Sequence, residues 1–241
     1  MKFRLALLSS FFVFVAPAMA QDGELLEYQQ EIGGGIGLSS YWGDSGGGLM
    51  KHPGFTGSVI WRRNFNPRMV LKTAATMGHV SGNTKNEFFP TDPLDKTATG
   101  GTAAPEVHFG RNYLDLGAQF EFNFLGYGMG ASYKGLHRWT PYLLAGAGVT
   151  ICFGGGGKAA GGFNIPLGFG VRYKLKERLN IGFEWAIHFT TTDGLDDNGQ
   201  TPHLKDPYGI SSGMFKNKDC YSVALISLTY DISPKYRKCN N

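Results

Sequence analysis

The feature that most constrains this chain is a two-residue alternation, repeated in segment after segment, with bulky apolar side chains on one face and polar or glycine residues on the other. From Tyr113 to Leu125 one face reads Leu114, Leu116, Ala118, Phe120, Phe122 and Phe124, and the other Asp115, Gly117, Gln119, Glu121 and Asn123. The stretch from Phe163 to Leu175 repeats the pattern, setting Phe163, Ile165, Leu167, Phe169, Val171 and Tyr173 against Asn164, Gly168, Gly170, Arg172 and Lys174. Leu179 to Phe189 does so again. In an extended chain successive side chains point to opposite faces, so these are strands with one oily and one wet side. A sheet of such strands is expected to close into a barrel with lipid outside and a polar interior.

The N-terminus points to export. Lys2 and Arg4 precede an apolar run from Leu5 to Val15, and Ala18-Met19-Ala20 supplies the small-x-small pattern read by signal peptidase, so cleavage is expected after Ala20. The apolar run is shorter than the roughly 20 residues an uncleaved helical anchor needs. Gln21, not Cys, follows the cleavage site, which argues against lipoprotein processing. No later segment offers about 18 uninterrupted apolar residues, so insertion further on must be by strands. The expected organisation is a signal peptide over 1–20, an outer-membrane barrel over 21–232 and a periplasmic tail over 233–241.

Composition agrees. Glycine accounts for 36 of 241 residues and aromatic residues for 14%, a pairing suited to curved sheets with aromatic girdles at both interfaces. Lys2 and Arg4 carry two of the +4 formal charge, and the remainder is too small and scattered to suggest nucleic-acid binding.

Eight strands are expected: Tyr28–Tyr41, Gly54–Phe65, Met69–Val80, Tyr113–Leu125, Thr140–Phe153, Phe163–Leu175, Leu179–Phe189 and Tyr221–Ile232. That number makes an all-β, OmpA-like antiparallel transmembrane barrel, with short periplasmic turns and long outer loops. Asn66-Pro67-Arg68 and Lys176-Glu177-Arg178 read as tight turns. The long segments Ser81 to Asn112 and Thr190 to Cys220 fall on the opposite side, with the glycine runs at Gly46–Gly48 and Gly154–Gly157. Gly126 to Arg138 is long for a periplasmic turn, and marks a place for a periplasmic partner.

Strand parity turns Arg62, Lys72, Asp115, Glu121, Arg172, Lys174, Glu184 and His188 inward. An eight-stranded barrel is about wide enough to be filled by side chains, so these residues are read as a lumenal ion-pair network that closes the channel. Pairing is needed because an isolated buried charge carries a large desolvation cost. Inward glycines, among them Gly33, Gly35, Gly37, Gly146, Gly148, Gly168, Gly170 and Gly182, leave room for the long side chains. A small water-filled pore is the alternative.

The glycine runs lack the following helix, lysine and serine of a phosphate loop, and no Cys or His pair has zinc-site spacing, so neither cofactor nor metal is expected. One foothold exists for catalysis: some small outer-membrane barrels modify lipid A with a His and a Ser near the outer rim, and His79 and Ser81 share the lipid-facing side at the third strand's outer end. A nucleophilic hydroxyl would further need an acid to orient the imidazole, and none is evident.

Three cysteines in an exported chain suggest one internal pair and one thiol available to another protein. Cys152 and Cys220 fall at outer strand ends and form the candidate pair. Cys239 lies in the tail with Lys235, Arg237 and Lys238 around it, which reads either as a docking tail capable of an intermolecular disulfide or as a basic terminus with a spare thiol.

Several segments taken in order carry a family resemblance. They are Glu31-Ile32-Gly33-Gly34-Gly35 through Tyr41-Trp42-Gly43-Asp44, then Trp61-Arg62-Arg63-Asn64-Phe65-Asn66-Pro67-Arg68, Leu116 to Phe124, Thr140-Pro141-Tyr142-Leu143-Leu144-Ala145-Gly146, Ile165 to Gly170, and Arg178 to Trp185. Together they resemble the PorG-like outer-membrane proteins of Bacteroidetes over nearly all of the mature chain. Thr191 to Asp197 is similar to the family's loop after the seventh strand, except that Gly194 stands where an aromatic is expected. The resemblance implies a non-enzymatic role in the type IX secretion system, with a PorK-like lipoprotein and a PorN-like protein of the periplasmic ring as partners. It supplies no catalytic residue. The alternative is an OmpA-like structural or adhesin barrel acting through its outer loops.

Overall fold

A computed structural model of the chain describes residues 28–42, 52–83, 108–129, 135–192, 195 and 219–234. Eight strands are present: β1 (Tyr28–Trp42), β2 (Gly54–Asn64), β3 (Met69–Asn83), β4 (His108–Asn123), β5 (Trp139–Phe153), β6 (Ala160–Lys176), β7 (Leu179–Thr190) and β8 (Cys220–Pro234). Each pairs antiparallel with its neighbours in sequence, and β1 pairs with β8, so the sheet closes into a barrel. Closure satisfies every strand edge, which is what a sheet needs in a medium that offers no hydrogen bonds.

The alternation maps directly onto the wall. Ile36, Phe55, Val59, Leu116, Phe163, Phe183 and Ile226 face outward and are exposed, while Arg62, Lys72, Glu121, Asn123, Arg172 and Thr229 face inward and are buried. An apolar outer belt around a polar interior inverts the arrangement of a water-soluble barrel, and it is the arrangement that lipid requires. Among the described residues no helix is long and apolar enough to cross a membrane.

Both chain termini of the barrel and the short connections lie at one end, here the turn end; the other is the loop end. Between β2 and β3, Asn66 Oδ1 accepts from the backbone N–H groups of Arg68 at 2.9 Å and Met69 at 2.7 Å, a side-chain-closed turn. Only Glu177 and Arg178 separate β6 from β7, beside a register shift between Lys174 and Lys176.

The seam between β1 and β8 depends on glycine. A Cβ at Gly37 would overlap the Ala224 carbonyl oxygen, and one at Gly33 would overlap that of Leu228. These inward positions therefore let two backbones approach where side chains would push them apart. Between β5 and β6, Gly154, Gly155 and Gly156 all have positive φ (81°, 70° and 85°), a turn that other residues adopt only with strain.

The strands outrun the sequence expectation at the loop end. β3 continues to Asn83 and β4 starts at His108, where Asn83 pairs with His108; β6 starts at Ala160, opposite Cys152. Glycines such as Gly82, Gly110, Gly161 and Gly162 read locally as loop, but a waiting ladder partner keeps them extended. At the chain's far end β8 includes Ser233 and Pro234, with Pro234 opposite Tyr28, two residues past the expected strand end at Ile232. The signal segment 1–20 and Cys239 lie outside the described residues, as does Gly194.

Candidate functional site

The lumen is filled in layers. Nearest the turn end, the Lys174 ammonium meets Asp231 Oδ2 at 2.5 Å, and the Asn180 amide donates to Asp231 Oδ1 at 2.6 Å. Above them Arg172 reaches Glu31 Oε1 at 3.3 Å and donates to Asn123 Oδ1 at 3.2 Å. Thr229 and Asn64 donate to the same Glu31 carboxylate at 3.2 and 3.1 Å. Arg62 Nε donates to both Glu121 oxygens, at 3.0 and 3.2 Å. Lys72 holds Glu184 at 2.5 and 2.7 Å, and the Tyr142 hydroxyl donates to that carboxylate at 2.9 Å.

Cross-links tie the layers together. Arg62 also lies 3.8 Å from Glu31 and 4.0 Å from Glu184, and Arg172 lies 3.7 Å from Glu121. Bases from β2, β3 and β6 therefore share acids from β1, β4 and β7 across the bore. Each ion is buried, and burying an ion is costly unless its partner is close and its remaining lone pairs or protons are satisfied. Shared carboxylates with added amide and hydroxyl donors meet that condition for the acids, whereas Arg62 Nη2 and Arg172 Nε are buried without a hydrogen-bond partner among the described residues.

Toward the loop end the chemistry changes. Asp115 accepts from Thr150 at 3.0 Å and from Asn164 and Tyr221, while His188 Nδ1 stands 3.4 Å away and its ring stacks on Tyr221 at 4.6 Å between centroids. Beyond this group an apolar and aromatic cluster fills the interior beside the buried Arg111 and Asp219: Tyr41, Val80, Phe109, Tyr113, Cys152 and Leu195 pack together, with Tyr41 and Phe109 edge-to-face at 4.8 Å. The alternation suggests a polar bore throughout. The structure instead adds an apolar, largely aromatic cluster around Arg111 and Asp219 at one end, because inward positions near that end of β3, β4 and β8 carry Val80, Phe109, Tyr113, Tyr221 and Val223.

Residues from the connections pack at both ends of the barrel. At the loop end Leu195 is fully buried, and its N–H donates to Asp219 Oδ2 at 2.9 Å; Tyr41 donates to the other oxygen at 2.6 Å. At the turn end the β4–β5 connection folds back over the opening. Tyr127 N–H donates to the Pro67 carbonyl at 3.1 Å, its hydroxyl donates to Asn180 at 2.8 Å, and the Arg172 guanidinium stacks on its ring at 4.7 Å. Burial pushes the Tyr127 phenol above its ordinary pKa, so it remains a neutral donor. Tyr127 thus ties the Gly126–Arg138 segment to the barrel's own interior.

All eight residues expected in the lumenal network face the interior. Parity also reaches Glu31 and Asp231, two acids absent from that expectation although they lie inward on β1 and β8. Tyr127 and Leu195 could not be reached this way, because loop residues carry no alternation.

The expected Cys152–Cys220 pair is not formed. Cys152 is buried inside the wall on β5, whereas Cys220 shares the outward parity of Ile226 and Leu228 on β8, and two strands stand between them. Sharing an end of the barrel does not place two side chains on one side of its wall. His79 and Ser81 both face outward; His79 Nδ1 pairs with Asn112 Oδ1 at 2.9 Å, an amide where a triad would place a carboxylate. Among the described residues no cluster of three His, Cys, Asp or Glu side chains is placed to hold a metal ion.

A closed eight-stranded antiparallel sheet, apolar outside and ionic within, defines this molecule as a transmembrane β-barrel of the OmpA-like class. The chain belongs to the family described as a domain of unknown function, DUF6089, which matches residues 7–241. No curated protein matches the sequence. Among solved structures it is similar to Ail, the attachment invasion locus protein of Yersinia pestis, at 12% identity and TM-score 0.46, covering 86% of this chain and 100% of that one. It is also similar to Neisserial surface protein A, at 10% identity and TM-score 0.47, covering 84% and 97%. The N-terminal barrel domain of Pseudomonas aeruginosa OprF matches at 11% identity and TM-score 0.39, covering 85% and 99%.

Proposed function

We propose that this barrel is a non-enzymatic outer-membrane component of the type IX secretion system, anchoring or assembling the periplasmic ring at the membrane. The observation that carries the reading is the filled lumen. Ion pairs cross it at several heights and Tyr127 and Leu195 cover its ends, so a role at the surfaces fits better than passage through the bore. The ordered motifs that resemble PorG-like proteins favour one surface, the turn end with the basic tail Lys235-Tyr236-Arg237-Lys238-Cys239. In this reading the turn end faces the periplasm and meets a PorK-like lipoprotein and a PorN-like protein, and Cys239 supplies an intermolecular disulfide.

Affinity purification of the tagged barrel from native outer membranes, run on reducing and non-reducing gels beside Cys239→Ser, tests this. Ring proteins should co-purify, with a covalent adduct that disappears on reduction and in the variant. Ring proteins without an adduct would keep the role and remove the disulfide.

A second reading, an OmpA-like structural or adhesin barrel, is favoured by the long connections between β3 and β4 and between β7 and β8. It predicts contacts at the loop end, so absence of ring proteins together with surface ligands lost on loop deletion would select it.

A further inference from the structure

On the lipid-facing wall, β1 presents Ile32, Gly34 and Ile36 in succession, and Gly34 leaves a gap between the two isoleucines. β8 contributes Ile226 and Leu228 beside it, and Ile181 on β7 completes the far side. Gly34, Ile36, Ile181, Ile226 and Leu228 bound an apolar groove of about 390 Å³ on the outside of the barrel, with Ser58 of β2 at its edge. Gly34 pairs with Leu228, and Leu228 with Ile181, so the groove crosses all three strands at one level of the wall.

The groove leads toward a cationic corner at the turn end. Two residues beyond Leu228 on β8 is Tyr230, which pairs with both Ile32 and Leu179. Its hydroxyl accepts from Arg178 Nη1 at 3.5 Å, while Arg178 Nε donates to the Tyr28 hydroxyl at 3.0 Å and the guanidinium lies over the Tyr28 ring at 5.0 Å. Two tyrosines from opposite sides of the β1–β8 seam thus fix the guanidinium, and Nη2 has no partner among the described residues. Exposed Lys176 closes the same turn. Glu177 is occupied by the Tyr28 hydroxyl, which donates to it at 3.1 Å.

We propose that the β7–β8–β1 wall is a binding site for an anionic phospholipid, with an acyl chain in the groove over Gly34 and the phosphodiester on Arg178 and Lys176. Depth supports this. Outward tyrosines sit at the membrane–water level, so a guanidinium held by Tyr28 and Tyr230 sits where phosphates are found. From Ile226 to Tyr230 the strand advances about 13 Å, which spans part of one leaflet from chain to headgroup. Arginine held flat by two phenols retains donors for a phosphate oxygen, the contact at which its fork geometry is strongest. A free phosphate could use Arg178 as well; only a lipid uses the groove.

Native mass spectrometry of the detergent-purified full chain, titrated with phosphatidylglycerol, diacylglycerol or inorganic phosphate, tests the site. Arg178→Gln removes the headgroup contact and Ile226→Trp fills the groove from the lipid side, while Arg138→Gln removes a rim charge elsewhere. The wild type should retain one phosphatidylglycerol, with affinity falling roughly tenfold in each of the first two variants, the size of one charge-assisted contact, and unchanged in the third. Diacylglycerol should bind more weakly and inorganic phosphate should not compete. Heat-modified mobility on gels confirms folding, and Tyr230→Phe, which removes one of the two phenols that hold the guanidinium, carries the same test with a smaller loss if Arg178→Gln fails to fold. Equal binding by wild type and both site variants, equal loss in Arg138→Gln, or phosphate competing as well as lipid would overturn the proposal. Capture of a protein partner through Arg178 in lipid-free material would also overturn it, assigning the corner to protein docking.

Discussion

Arg62 and Glu121 meet from β2 and β4 with both side chains essentially sealed from solvent. Truncating one of them leaves the other as a buried ion with a weakened cage, and losses of this kind run to about 3–5 kcal/mol. Arg62→Ala should therefore lower the urea midpoint for unfolding the refolded barrel by much more than any substitution on the lipid-facing wall. The double replacement Arg62→Met with Glu121→Leu should recover much of the loss, since neither ion then remains to be satisfied. Equal midpoints for the single and double variants would contradict the network's assigned energetics. Tyr127→Phe is a milder change at the turn end: it removes only the hydrogen bond to Asn180, worth about 1 kcal/mol, and keeps the ring under Arg172. Residue roles such as these were half legible in advance. Alternation along β2 and β4 places Arg62 and Glu121 inside, but nothing in their spacing says that they face each other, because their meeting depends on how far each strand is displaced around the barrel.

Strands and turns were the more readable scale. A strand of this kind announces itself over ten or more residues, and each alternation reinforces the last. The ends were less clear where glycine replaced the oily face, as at Gly110 in β4 and Gly161 in β6, since a side chain of one hydrogen gives no sign of which way it points. Glycine also carries the elements' most exacting requirement. Gly37→Val should prevent β1 from seating against β8, because its side chain would have to occupy the place of the Ala224 carbonyl, and the variant should remain in the unfolded gel position during refolding. Asn66→Ala should fold but lose on the order of 1 kcal/mol, the worth of a side chain that closes a turn by accepting from two backbone N–H groups. An unchanged midpoint for Asn66→Ala would mean that Pro67 alone sets that turn.

At the scale of the whole molecule, the filled bore leads to a functional expectation. Planar bilayers containing the purified barrel should show no discrete conductance steps, and regular steps would mean that the ion pairs and the two covers open readily. The cysteines show the limit of reasoning about ends without sides. Cys152 and Cys220 both sit near the loop end, yet the wall of the barrel comes between their side chains, a relation that exists only after the sheet has closed. Likewise the length of the Gly126–Arg138 connection gives no sign that its Tyr127 packs against the barrel's own mouth.

What the sequence by itself determined was the class: strand number, the inward and outward faces, the tight turns, and the need for lipid outside. Those properties follow from a period of two residues and the shape of local turns, which each segment carries whether or not the others are present. Only the tertiary structure decided which acid pairs with which base, that Glu31 and Asp231 complete the set, that an aromatic cluster joins the polar groups toward the loop end, and that Tyr127 and Leu195 pack at the two ends. Those depend on register and closure. A shift of two residues between neighbouring strands would preserve every inward and outward assignment while changing each partner across the bore.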